Sequence, residues 1–159
     1  MNIIIRVLDK VHRELYLLVH PALWFKKVQI QGIPKIGNIE RLSIGRDVTI
    51  NDRVYIQCVG GVKIGDFCTI SYGCTILSSG LKSEDYPNIC MCKYREHILN
   101  SVSIGDGVWL GAGVKVMPGV SIAPKIIVGA GAVVTKDLDK EGWLYAGVPA
   151  KAIKPLIKN

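Results

Sequence analysis

The chain has three histidines, and only one of them, His97, sits among other residues that could do chemistry. His12 and His20 fall in or just after an amphipathic N-terminal stretch, where packing or surface roles suffice. His97 lies in a polar segment, residues 80–101, together with Glu84, Asp85, Cys90, Cys92, Tyr94, Arg95 and Glu96. An imidazole has its ordinary pKa closest to neutrality, so a loop histidine can take and return a proton at physiological pH. Cys90-Met91-Cys92 with His97 supplies too few ligands, at the wrong spacing, for a zinc site, so no metal is expected. A cysteine nucleophile at Cys90 or Cys92 is the weaker alternative to direct proton transfer. Five cysteines without an export signal read as free thiols of a cytoplasmic protein. Cys68 and Cys74 among them act as small inward-facing hydrophobes.

The elements that must position His97 are set by a six-residue beat. Ile44, Ile50 and Ile56 mark it, then Ile64, Ile70 and Ile76, then Ile104, Leu110, Val116, Ile122, Val128 and Val134. A small or apolar residue follows four places on, as at Val48, Val54, Cys68, Cys74, Val108, Val114, Val120, Ile126 and Ala132. This period matches neither a helix nor a long exposed strand. It fits short flat strands separated by turns, three to a triangular coil, with coils stacked at strand spacing and the markers in internal columns. Glycine follows many markers (Gly45, Gly65, Gly105, Gly111, Gly129), where backbone must pack closely or turn through positive φ. Ile36 to Ile44 and Ile56 to Ile64 each run two residues long. Between Ile76 and Ile104 the beat stops and then resumes in phase, so residues 80–101 read as a loop projecting from one corner.

The length suits one domain: residues 1–29 as an N-terminal helical segment, 30–140 as the repeat with its loop, and 141–159 as a C-terminal extension. The N-terminus carries Ile4, Leu8, Val11, Leu15 and Leu18 at helical spacing up to Pro21, with interleaved charges that exclude a membrane span. Trp24-Phe25-Lys26-Lys27 then joins aromatics to lysines, so a peripheral membrane contact, at the inner face of the membrane, is an alternative to packing on the prism or a neighbouring subunit. The net charge of +7 suits an anionic cofactor or surface. Its basic residues are scattered without an aromatic platform, which argues against nucleic acid.

Three stretches carry a resemblance: Ile104-Gly-Asp-Gly-Val-Trp-Leu-Gly-Ala-Gly113 with Met117-Pro-Gly-Val-Ser-Ile122, Val128-Gly-Ala-Gly-Ala-Val-Val-Thr-Lys-Asp137, and Ala146-Gly-Val-Pro-Ala-Lys151. The chain resembles the hexapeptide-repeat acyltransferases, closest to the maltose, galactoside and surface-polysaccharide O-acetyltransferases. The resemblance implies an all-β fold, a left-handed parallel β-helix of about five coils with an N-terminal amphipathic helix. It also implies a homotrimer with active sites between subunits and acetyl-CoA as acyl donor. By motif matching it puts Ala112, Ala130, Thr135, Lys136, Lys151 and Lys154 against that cofactor, where lysines could meet its phosphates. Relatives often carry Arg at the places of Lys151 and Lys154, so a point charge replaces a bidentate fork.

In many such enzymes a histidine follows the strand equivalent to Cys74-Thr75-Ile76 and acts as general base. Leu81 stands there in this chain, and leucine cannot accept a proton. The reading therefore transfers the base to His97, folded back from the loop, with Glu96, Asp85 or a backbone carbonyl to hold its tautomer. Asp85, Tyr94 and Arg95 become candidates for acceptor contacts. The implied activity is acetyl transfer from acetyl-CoA to a hydroxyl of a sugar or surface-glycan precursor, directly within a ternary complex. Transfer to the amino group of an amino sugar or amino acid is the alternative within the same chemistry. A non-catalytic trimeric binding or scaffold protein is the alternative outside it, and Leu81 is its best argument.

Overall fold

A computed structural model of the chain describes residues 3–84, 86–91 and 95–157. The beat folds into a triangular parallel β-solenoid. One face stacks Gln29–Ile30, Thr49–Ile50, Thr69–Ile70, Trp109–Leu110, Ile127–Val128 and Trp143–Ala146 as six parallel rungs. The second stacks Lys35–Gly37, Tyr55–Gln57, Thr75–Leu77, Lys115–Val116 and Val133–Val134. The third stacks Leu42–Ile44, Val62–Ile64, Val102–Ile104 and Ser121–Ile122, with Leu138 bridged to Ile122. About five coils were expected; Trp143–Ala146 adds a sixth rung to the first face, and Lys151–Pro155 turns back antiparallel along it.

The register puts marker on marker. Ile50, Ile70, Leu110 and Val128 form one internal column, Ile56, Ile76, Val116 and Val134 a second, and Ile44, Ile64, Ile104 and Ile122 a third. All twelve are buried, as are the nine small or apolar residues four places after a marker. A coil cannot cover its own inner face, so these columns tie each coil's stability to its neighbours. Burying one such side chain contributes on the order of 2 kcal/mol.

The corners explain the glycines. A Cβ on Gly111 would lie 2.7 Å from the backbone nitrogen of Ala130 in the next coil, so this glycine is required by close approach. Positive φ falls two places later, at Gly113 (φ 71°) and at its equivalents Arg53, Gly73 and Gly131. Aspartates extend the ladder at another corner: the Asp66 Oδ1 accepts from the Arg46 N–H at 2.9 Å, and the Asp106 Oδ1 accepts from the Asp66 N–H at 2.8 Å. The Arg46 backbone bond is the main reason the Asp66 carboxyl is held below its ordinary pKa.

Helix α1, Ile3–Val19, lies beside the first coil, followed by the short helix α2, Pro21–Phe25. Arg13 donates to the Gln31 carbonyl at 3.1 Å, and Tyr16 and Leu17 pack on the core. Leu23 of α2 is fully buried within that core.

Candidate functional site

The loop leaves the prism where the chain already runs long. Thr49 pairs with Thr69, twenty positions on, whereas Trp109 pairs with Ile127, eighteen on. The surplus in the first coils sits at the corner between the second and third faces, at Asn38–Arg41 and Cys58–Gly61. The excursion after Leu77 grows from that same corner. Its stalk is a hairpin: Ser79–Leu81 runs out, His97–Leu99 returns antiparallel, and the short helix α3, Tyr86–Ile89, lies between them.

Two serines anchor the stalk. Ser78 is fully buried; its hydroxyl donates to the Gln57 carbonyl at 2.6 Å and accepts from the Gly60 N–H at 2.9 Å. Ser79 donates to the Gln57 Oε1 at 2.8 Å. Asn100 closes the base, its N–H donating to the Ser78 carbonyl and its own carbonyl accepting from Gly119. Sequence reading passed over Gln57, Ser78 and Asn100, because each interrupts the beat only by being polar at its edge. The polarity of Ser78, immediately before the excursion, was the available signal.

In the hairpin register His97 stands directly opposite Leu81. The bonds Lys82 N–H to Glu96 carbonyl and Asn100 N–H to Ser78 carbonyl, each 3.0 Å, bracket the ladder. Counting between them, Leu81 and His97 form a non-hydrogen-bonded pair, the geometry in which facing side chains come closest, with Cα atoms roughly 4.5 Å apart. The two side chains therefore share one face of the ribbon. Both are exposed. The His97 ring makes no hydrogen bond or ion pair to another described residue. Glu96 is committed elsewhere, to Lys82 at 2.8 Å, and that bond is the main reason the Lys82 pKa is raised. Asp85 and Tyr94, like Cys92, lie outside the described residues; Arg95 is exposed two residues before His97.

The other candidates fall into two groups on either edge of the second face. Ala112 and Ala130 stack at the corner between the first and second faces, the Ala112 carbonyl accepting from Gly131 at 2.8 Å, and both side chains are exposed. Lys151 belongs with them, since it pairs with Ala146, whose Cβ is the nearest atom to a Cβ built on Gly129. Lys154 pairs with Leu144 on the first face. Thr135 and Lys136 lie at the opposite edge, on the hairpin's corner and two coils beyond it, roughly 10 Å along the axis. Lys136, Lys151 and Lys154 are exposed and form no ion pair with another described residue. These features fit an elongated polyanion: small side chains beside backbone, and free ammonium groups at the ends.

The three thiols buried in the prism, Cys58, Cys68 and Cys74, are poor nucleophiles. Burial pushes the Cys58 thiol up to about 11, with Glu40 adding to it, and burial likewise raises Cys68 and Cys74. Cys68 and Cys74 donate to the Gly105 and Gly111 carbonyls, each at 3.1 Å. Among the described residues no cluster of three or more His, Cys, Asp or Glu could hold a metal.

Residues 101–136 match the model of the bacterial transferase hexapeptide (six repeats), and residues 41–78 that of the hexapeptide repeat of succinyl-transferase. Both stretches are thus hexapeptide repeats of the kind found in these transferases. It is 34% identical over 127 residues to a putative lipopolysaccharide biosynthesis O-acetyl transferase of Escherichia coli K12, WbbJ. That alignment covers 80% of this chain but 57% of the relative, so the chain spans little more than half of it. Among solved structures, a galactoside acetyltransferase in complex with coenzyme A superposes with a TM-score of 0.70 at 28% identity, covering 82% of this chain and 64% of that one. A hexapeptide-repeat acetyltransferase from Vibrio cholerae O1 biovar eltor, complexed with acetyl-CoA, superposes with a TM-score of 0.73 and covers 99% of this chain and 91% of that one. At 21% identity the latter speaks for the fold alone.

Proposed function

We propose that this chain is an acetyl-CoA-dependent O-acetyltransferase acting on a hydroxyl of a sugar or surface-glycan precursor, with His97 as general base. The observation that carries the reading is the pairing of His97 with Leu81. The position where relatives hold their base is apolar here, and an imidazole stands across from it on the same ribbon face. A ring nitrogen of His97 accepts the proton of the acceptor hydroxyl as the oxygen attacks the thioester carbonyl. The carbon–sulfur bond then breaks, and the imidazolium returns its proton to the departing thiolate. Backbone N–H groups are the natural donors to the oxyanion.

The donor would lie along Ala112 and Ala130, with Thr135, Lys136, Lys151 and Lys154 around its pantetheine and phosphates. Asp85, Tyr94 and Arg95 would face the acceptor. The two candidate groups flank one face of a single prism, and a neighbouring copy laid along that face would close a cleft over both. Such a cleft is what a homotrimer with interfacial sites would form, and use of acetyl-CoA would place it in the cytoplasm.

Two measurements test the reading. Titration calorimetry with acetyl-CoA should show binding that weakens when Lys136 and Lys151 are both changed to Ala. Incubation with acetyl-CoA and a panel of mono- and oligosaccharides should yield an alkali-labile acetyl ester detectable by mass spectrometry. Absence of acetyl-CoA binding overturns the assignment. An alkali-stable amide formed only on amino sugars replaces O-transfer with N-transfer.

A further inference from the structure

The apolar stripe of α1 is turned away from the prism. At 3.6 residues per turn, Val7, Leu8, Val11, Leu15, Leu18 and Val19 fall in an arc about 120° wide. Every one of them is exposed, from 47% at Val11 to 68% at Val19. The side that meets the prism is the mixed one, through Arg13, Tyr16 and Leu17. The helix is thus held with its polar and aromatic side inward and its cleanest hydrophobic surface in solvent, the reverse of a core-packed helix. The same inversion continues into α2, where Leu23 is buried while Trp24 and Phe25 are exposed, Phe25 at 81%.

Charge identifies what would cover this surface. Lys26 and Lys27 follow the exposed aromatics directly, and residues 1–27 hold Arg6, Lys10, Arg13, Lys26 and Lys27 against only Asp9 and Glu14. Apolar arc, exposed Trp and Phe, and adjacent lysines together form the pattern of a helix lying in a membrane interface. Protein interfaces, by contrast, are depleted of lysine. Among the described residues no helix is long and apolar enough to cross a membrane, so the contact is one that lies on the surface.

We propose that the outer face of α1, with Trp24, Phe25, Lys26 and Lys27, docks the protein on an anionic lipid bilayer. Leu8, Val11, Leu15 and Leu18 would sit at the acyl boundary and the lysines among the headgroups. Sedimentation with sucrose-loaded vesicles of phosphatidylcholine, with and without phosphatidylglycerol, tests this on the full chain. Binding should be strong only with phosphatidylglycerol present and should fall as salt is raised. Leu15→Asp with Leu18→Asp should lower the partition coefficient by about tenfold or more, since each leucine side chain buried in lipid is worth about that factor. Lys26→Glu with Lys27→Glu should lower it by at least several-fold, and both variants should keep the wild-type circular dichroism, because the changed side chains are exposed. Wild-type protein that stays in the supernatant with anionic vesicles overturns the proposal. So does a Leu15→Asp, Leu18→Asp variant that pellets as wild type does, or one whose only change is a smaller oligomer on a sizing column, which would make the face a contact between copies. The readout needs no acyl transfer, so it stands or falls separately from the enzymatic reading.

Discussion

Replacing His97 by alanine separates the proposed chemistry from the fold. The ring is exposed and holds no hydrogen bond or ion pair to a described residue, so its removal costs little beyond its contact with the facing Leu81 and leaves no buried described group unpaired. Stability should therefore stay within about 0.5 kcal/mol of wild type, the range of ordinary surface substitutions. A positioned general base contributes about 10²- to 10⁴-fold, so kcat for acetyl transfer should drop by that factor, about 3 to 5 kcal/mol of barrier. The hairpin register adds a sharper arm. Leu81 and His97 are a facing pair whose Cβ atoms lie roughly 5 Å apart, so exchanging them moves the imidazole by about that distance on the same ribbon face. The exchanged variant, Leu81→His with His97→Leu, should recover at least about tenfold of what His97→Leu alone loses, a modest share of the range available to a base. Release of the coenzyme A thiol, followed with a chromogenic disulfide and a competent acceptor, gives the rates; thermal melting gives the stability. Turnover within a few-fold of wild type in His97→Ala refutes the role of His97. A fall in melting temperature of many degrees would show instead that the residue holds the hairpin. An exchanged variant as inactive as His97→Leu would refute the interchange of the two positions.

Gly111→Ala places a Cβ 2.7 Å from backbone in the next coil and should cost about 2 to 3 kcal/mol in urea unfolding, whereas Gly73→Ala, with open space but φ 68°, should cost only about 1 kcal/mol. A Gly111 variant no less stable than the Gly73 variant would show that the corners yield. Under native conditions at mild alkaline pH, a thiol reagent should leave Cys58, Cys68 and Cys74 unmodified on the timescale in which it labels the partly exposed Cys90, as quantified by peptide mass spectrometry. The Asp66 carboxyl is depressed by its bond to the Arg46 N–H, so its stabilising contribution is present above its unfolded pKa and is lost as pH falls through the folded value. In urea titrations at several acidic pH values, Asp66→Asn should show a shallower loss of stability than wild type on acidification.

The prism was legible because its signal is redundant. Each column repeats one physical requirement, an aliphatic residue facing inward, at positions such as Ile50, Ile70, Leu110 and Val128, so single irregularities cannot hide the period. His97 could be singled out because it is the one imidazole in the interruption, while its register opposite Leu81 is set by the hairpin pairing itself. What could not be read is everything set by one contact alone. Glu96 looked like a partner for His97, yet Lys82, fourteen positions earlier, takes it across the hairpin. The outward set of α1 was equally hidden. Its periodicity announces an apolar face, but only the Arg13 bond to Gln31 and the packing of Tyr16 and Leu17 decide which side meets the prism.

The position of the excursion follows from the slack in the coils beneath it. A strict eighteen-residue coil leaves no room at a corner, as the Gly111–Ala130 approach shows at the tight edge of the second face. At the other edge the first two coils each carry two extra residues, and the third carries the whole hairpin. The Cys58 N–H bonds to the Gly37 carbonyl, the Ser78 N–H to Gln57, the Asn100 N–H to Ser78 and the Gly119 N–H to Asn100, so the widened corner is continuous through the stack. The hairpin base is thus one more rung of a column that begins two coils below, with buried Ser78 as its pivot. The proposed base, His97, would be placed on such a stalk by the prism on which the hairpin stands. Loss of the Ser78 hydroxyl should therefore disturb the site through the stalk, lowering activity together with stability, where loss of His97 lowers activity alone.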